Sequence, residues 1–290
     1  MSLQKKATLI SSVVAFLLLV MKFAIGILSG SIAVLSSAID SLLDLFVSLF
    51  NYFAVSSSEK KEDGIFNYGR GKIEALAALF EGLIITFSGF FIFYTAVLKL
   101  IGNEKVEYLS YSIGVMIISV IITGFLVYFL EKVAKQTENI VIHADSLHYK
   151  TDLYSNLVIL LGLVIIHFSG FYIIDAILGI IISLYIIYSA FDLIKKGYGL
   201  LLDISLDKEE IDQIIKIIDK QALITSYHEL KTRQSGHRKF VEIHLVFTPE
   251  IKLIDAHRIS DHVEYAIPKI NKNFTRNVMI HLDPYCDSRE

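Results

Sequence analysis

Four ionisable residues fall inside stretches that otherwise read as apolar: Asp40 and Asp44 in one, His148 and Asp152 in another. Each pair is spaced i, i+4, so on a helix both members face one side, a turn apart. An Asp near the centre of a membrane helix is disfavoured by about 2.5–3.5 kcal/mol on insertion scales. A residue held there against that penalty marks a functional site whose partner has to be found. Here each pair supplies the other's partner. Three carboxylates and one imidazole can surround one divalent cation, whose charge offsets the acids. Four O/N donors in a tetrahedral set suit Zn²⁺ at ligand distances of about 2.0–2.2 Å. The apolar stretches contain no cysteine, which argues against Cu(I) and its preference for soft sulfur. Fe²⁺, Mn²⁺, Co²⁺ and Cd²⁺ are compatible with the same donors.

The elements that have to position these groups are membrane spans. The chain is 54% hydrophobic and 20% charged, with a mean hydropathy of +0.57, unlike a soluble protein of 290 residues. The polar residues are segregated toward the C-terminus. This predicts a transmembrane domain over 1–204 and a soluble domain over 205–290. Six spans are expected, near 7–29, 31–55, 73–101, 108–133, 141–168 and 171–197. Each is long enough to cross a hydrocarbon core of about 30 Å. Positive charge gives the orientation. Lys5, Lys6, Lys60, Lys61, Arg70, Lys72, Lys132, Lys135, Lys195 and Lys196 fall on one side, and only Lys99 and Lys105 on the other. Both termini, and the soluble domain, are therefore expected in the cytosol. At ~1.5 Å per residue, Asp44 and Asp152 both lie roughly 16 Å from the cytosolic ends of their spans, so two adjacent helices can bring all four groups together. Asp145, a turn before His148, is expected to orient that ring. Glu74 is expected at the cytosolic entrance, and Glu81 lining a water-filled cavity.

The tail carries a second cluster. Its periodicities predict a helix over 207–221, strands over 226–234 and 239–247, a helix over 253–270 and a last strand over 277–282. That order suits a small αββαβ sheet with two helices on one face. His228 and His244 fall on the first two strands, His281 and Asp283 at i, i+2 on the last, and His257 on the second helix. Four histidines and an aspartate on elements that this topology gathers read as a metal site. The lone Cys286 excludes disulfides within the chain and fits a reducing compartment.

Several motifs are specific: SSAIDSLLD in the second span, YGRGKIEALAAL entering the third, ADSLHYKTD in the fifth, LLD after the sixth, and HELKTRQSGHRKFVEIHL, DAHRISD and MIHLDP in the tail. Over essentially its whole length the chain resembles a bacterial cation diffusion facilitator, near the zinc/iron efflux branch. The resemblance implies a homodimeric metal/proton antiporter of the inner (cytoplasmic) membrane, with a cytosolic domain of metallochaperone-like, ferredoxin-like fold. By that resemblance Asp40, Asp44, His148 and Asp152 match the transport site. His228, His244, His257, His281 and Asp283 match a binuclear cytosolic site at the dimer interface, and Lys72 and Asp203 a charge interlock between the membrane and cytosolic parts. Zinc, or another of Fe, Mn and Cd, is implied as both substrate and regulatory ligand. The implied partners are metal ions, protons, the lipid bilayer and a second copy, and not nucleic acid.

The chain departs from the family in one important respect. A further metal site, in the loop between spans two and three, is built in many relatives from an Asp and two His. Here the matching positions hold Asp63, Phe66 and Arg70. Phe cannot ligate and Arg is permanently cationic, so this site is expected to be lost or very weak. Two other classes fit less well. A membrane metal sensor does not need ligands at the bilayer midplane. An intramembrane metalloenzyme needs a catalytic base, and the H-E-x-x-H signature is missing.

Overall fold

The computed structural model describes residues 1–29, 32–102, 110–169 and 173–286. Six long helices come first: α1 (Leu3–Ser29), α2 (Ile32–Ser58), α3 (Lys72–Gly102), α4 (Ser110–Thr137), α5 (Ile140–Ser169) and α6 (Ile173–Leu201). The tail then folds as α7 (Lys208–Asp219), β1 (Ser226–Ser235), β2 (Arg238–Val246), α8 (Leu253–Ala266) and β3 (Thr275–Asp283). The protein is an α-helical membrane protein with a small C-terminal α+β domain. Among the described residues, five helices (α1, α2, α3, α4 and α6) are long and apolar enough to cross a membrane. The sixth, α5, has 30 residues and carries Asp145, His148, Lys150 and Asp152, which interrupt its apolar run.

The chain divides into two compact units, 1–60 with 73–198 and 61–72 with 199–290. The helical unit buries polar side chains among its apolar ones and exposes large apolar ones. Ser48, Asn51, Glu81 and Asp145 are buried, whereas Phe46, Phe87, Phe125 and Tyr188 are exposed, as suits a surface that meets lipid. In its interior α1 packs on α2 and α4, and α5 on α2 and α4. Small residues bring α3 and α6 together. A Cβ at Gly82 would lie 2.8 Å from Ile194 Cγ1, and one at Gly89 2.8 Å from Ile187 Cγ1, the close approach typical of membrane helix pairs. Tyr149 on α5 and Ser48 on α2 share a buried hydroxyl–hydroxyl bond of 2.7 Å, fixing the two helices beside their ionisable groups.

In the C-terminal unit the sheet runs β1-β2-β3, with β1 antiparallel and β3 parallel to the central β2. Ile214 and Ile218 of α7 and Val263 of α8 pack on Val241, Ile243 and Leu245 of β2. The expected helix over 253–270 stops at Ala266 and tightens into a 3-10 turn at Ile267–Lys269. Pro268 is the reason, since it lacks the N–H needed to extend the α ladder. The loop 61–72 belongs to this unit. Arg238 donates to the Tyr68 carbonyl at 3.3 Å and pairs with Glu62 at 2.8 Å. A Cβ at Gly71 would lie 2.2 Å from the Ser235 carbonyl oxygen, so only glycine permits that approach.

Glu210 at the start of α7 bonds Lys239 at 2.6 Å and also Arg276. Burial pushes the Glu210 carboxyl up, but the two cations outweigh it and hold it below the ordinary carboxylate range. Removing one member of a buried charge cluster leaves the others uncompensated. Glu210→Gln should therefore lower stability by about 3 kcal/mol at neutral pH. A depressed folded pKa gives stabilisation that is present above the unfolded value, near 4.5, and is lost as pH falls through the folded one. The gap between wild type and variant in denaturant melts should thus close in acid, and a gap of equal size at pH ~3 would contradict the charge explanation.

Candidate metal sites

The intramembrane cluster is assembled by α2 and α5. His148 Nε2 lies 3.2 Å from Asp44 Oδ1. One donor atom from each of Asp44, His148 and Asp152 falls within 4.8 Å of the others. Asp44 and Asp152 are half-buried and His148 is buried. Donor atoms this close to one another can share a single ion at metal–ligand distances of about 2.0–2.2 Å after small side-chain adjustments. Asp40, a turn earlier on α2, is exposed and outside this three-residue set. Its i, i+4 offset keeps it within reach of a side-chain rotation about the same centre.

A ladder of buried polar groups continues from the cluster. The Asn51 amide on α2 donates to Glu81 Oε2 at 3.0 Å and to Asp145 Oδ1 at 3.1 Å. Glu81, expected to line a water-filled cavity, is instead 1% exposed in this arrangement, and Asp145 is fully buried. Further along, Glu74 on α3 accepts from Ser58 and from Asn139 Nδ2 at 2.9 Å. Asn139 Oδ1 in turn caps α5 by accepting from the Val141 and Ile142 amides. Glu74, expected at an entrance, is buried at 3% exposure.

Two members were missed from sequence. Asn51 carries no charge, so nothing in its type flagged it. Lys22 did carry a signal, an ammonium in the middle of the first apolar stretch. It is buried on α1, and its Nζ donates to Ser41 Oγ at 2.7 Å and to the Ser37 carbonyl at 3.4 Å.

In the C-terminal unit, strand register builds the second cluster. His228 on β1 pairs with His244 on β2, which pairs with His281 on β3. Neighbouring rings lie with centroids 4.8 and 4.6 Å apart. A register shift between His228 and Lys231, with Glu229 at φ 49°, sets this alignment. The Asp283 carboxylate is the hub. Its Oδ2 lies 2.8 Å from His244 Nδ1 and 3.1 Å from His228 Nε2, and its Oδ1 lies 3.1 Å from His281 Nε2. Burial pushes this carboxyl up, but the three imidazoles outweigh it, His244 foremost, and hold it below the ordinary range. His228, His244 and Asp283 form the tight set. His281 joins it through Asp283, while His257, on α8, is exposed and 3.8 Å from Asp261.

Lys72 Nζ meets Asp203 Oδ2 at 3.0 Å, and Arg233 approaches the other oxygen at 3.6 Å. In the loop, Arg70 binds the Asp63 carboxylate and stacks over Phe66 at 4.2 Å. The backbone amide of Phe66, then Arg70 and the Ile65 amide, hold that carboxyl below its usual range. With its acid already engaged by a guanidinium, this loop offers a cation little. Asp63→Ala should leave the number of Zn²⁺ ions bound per chain unchanged in equilibrium dialysis, and loss of one ion would restore the loop site.

The sequence profile of the cation efflux transmembrane domain matches residues 8–202, and that of the cytoplasmic domain of cation efflux proteins matches residues 206–285. The chain is 34% identical to the cation-efflux pump FieF of Escherichia fergusonii over 282 residues, covering 97% of this chain and 93% of that protein. It is 35% identical to the FieF of Yersinia enterocolitica with the same coverage. Two domain matches in tandem and full-length kinship, on a helical unit that gathers Asp44, His148 and Asp152 and a tail that gathers three histidines about Asp283, place this chain in the cation efflux, or cation diffusion facilitator, family as a FieF-like member.

Proposed function

We propose that this protein exports a divalent metal cation, zinc foremost, across the bacterial cytoplasmic membrane in exchange for protons. The observation that carries this reading is the convergence of Asp44, His148 and Asp152 donor atoms within 4.8 Å on α2 and α5 of the membrane domain. Asp40, a turn away on α2, is the fourth ligand and completes the set when the ion binds. The relatives are cation-efflux pumps, which supports the direction of transport. Three carboxylates and an imidazole favour zinc over iron and manganese by the general order of divalent affinities.

Ligands bind metal only when deprotonated, so metal and protons compete for the same four side chains. A site loaded from the cytosol and opened to the other face, where protons are more abundant, exchanges its metal for protons. The lysine and arginine bias supports a cytosolic position for both termini and the C-terminal unit. There the His228, His244, His257, His281 and Asp283 group binds metal in a homodimer and reports the cytosolic concentration. It shifts transport only as far as it binds the transporting state more tightly. Lys72, opening α3, and Asp203, following α6, pair with each other within the C-terminal unit. Both are about 40% exposed, so the pair itself stabilises by no more than about 1 kcal/mol.

Competition uptake tests the choice of cargo. In proteoliposomes, Zn²⁺ should inhibit uptake of Cd²⁺, Fe²⁺ and Mn²⁺ at lower concentration than any of them inhibits Zn²⁺. A reversed order would reassign the substrate within the same mechanism.

A further inference from the structure

Lys22 is a buried cationic side chain next to the intramembrane cluster. It is 8% exposed on α1, which packs directly on α2. Its ammonium is held by the Ser41 hydroxyl and the Ser37 carbonyl, on the face of α2 that continues, a turn later, to Asp44. Ser41 directly follows Asp40 in the chain and lies three residues before Asp44, so its bond to the ammonium sets Lys22 beside the α2 half of the site. A buried ammonium is not retained for stability alone, because desolvating it is costly.

The charges can be summed. With the four ligands in the deprotonated forms that bind metal, Asp40, Asp44 and Asp152 contribute three negative charges, His148 none and a protonated Lys22 one positive, leaving two negative charges on these five groups. One divalent cation brings the sum to zero. Without Lys22 the same ion would leave the loaded site anionic in the bilayer, and the empty site would attract cations more strongly.

We propose that Lys22 is a fixed counter-charge of the transport site, setting its net charge so that a single divalent cation neutralises it. The inference rests on the reading of Asp40, Asp44, His148 and Asp152 as that site. Lys22 is a positioning and specificity residue and not a ligand, because a protonated ammonium offers donors only. It limits how tightly the site holds its cargo, and so permits release, and it disfavours ions of other valence.

The test uses the full-length protein in detergent, in an Asp283→Ala background that silences the cytosolic cluster, with Zn²⁺ and Tb³⁺ binding read by calorimetry. Lys22→Met should bind Zn²⁺ more tightly, by roughly tenfold or more at the effective dielectric of protein interiors. It should also bind Tb³⁺ better relative to Zn²⁺, and turn over more slowly in vesicles. Lys22→Arg, which keeps the charge, should keep the wild-type affinity and ion preference. A residue that merely packs α1 on α2 predicts the opposite sign, a weaker site in Met and Arg alike. Unchanged or weaker Zn²⁺ affinity in Lys22→Met overturns the proposal, and Lys22→Gln repeats the measurement should the methionine variant fail to fold. Zn²⁺ binding that Asp44→Ala does not diminish overturns the transport-site reading itself, whatever Lys22 does.

Discussion

Asp44→Ala should abolish metal uptake and leave the fold intact. Asp44 reaches from α2 to α5, with its Oδ1 3.2 Å from His148 Nε2. Removing even an outer-shell partner of a metal site lowers affinity or activity by about 10–100-fold, so loss of a ligand at the centre should exceed ~100-fold. Stability should be little affected. Alanine relieves a carboxylate held within a membrane span, and His148 keeps Asp152 as a neighbour. The Ser48–Tyr149 bond, which joins α2 to α5 independently of the cluster, persists in the variant. Vesicle uptake and thermal melting on the same preparation separate the two effects. A large fall in melting temperature alongside lost uptake would make Asp44 a structural residue.

Asp283→Ala should empty the cytosolic cluster without emptying the membrane one. Three imidazoles converge on this one carboxylate at 2.8–3.1 Å, so its loss removes a ligand and the group that orients the others. Zn²⁺ bound per chain should fall, and the ions that remain should be those lost in Asp44→Ala. Uptake at saturating metal should persist, while its response to low cytosolic metal weakens. His257→Ala should cost less affinity in this cluster, since His257 is exposed and apart from the tight set in a single chain. Equal losses from the two variants would show that His257 is recruited when the cluster fills.

Much of this was legible in the sequence because the relevant signals are local. Apolar runs mark the helices, i, i+4 spacing puts Asp40 with Asp44 and His148 with Asp152, and period-two alternation marks the strands of the αββαβ tail. What escaped depends on three-dimensional register. The alignment of His228, His244 and His281 across β1, β2 and β3 requires the irregularity at Glu229, which no propensity indicates. Glu74 and Glu81 look like water-exposed acids by type, yet they are buried, and Ser58 and Asn51 on the preceding helix α2 and Asn139 at the cap of α5 donate to them. The loop 61–72 reads as a simple connection, but Arg238 and Ser235, well over a hundred residues away, determine its packing. Lys22 was visible and its role was not, because that depends on which face of α2 it meets.

The most direct measurement is Zn²⁺ accumulation in sealed proteoliposomes of the wild-type protein, with a pH gradient imposed and then collapsed by an ionophore. Accumulation that requires the gradient, stops when it is collapsed and disappears in Asp44→Ala is the expected result. Tight Zn²⁺ binding at Asp44, His148 and Asp152 with no accumulation under any gradient would contradict it, and would make the protein a membrane metal sensor.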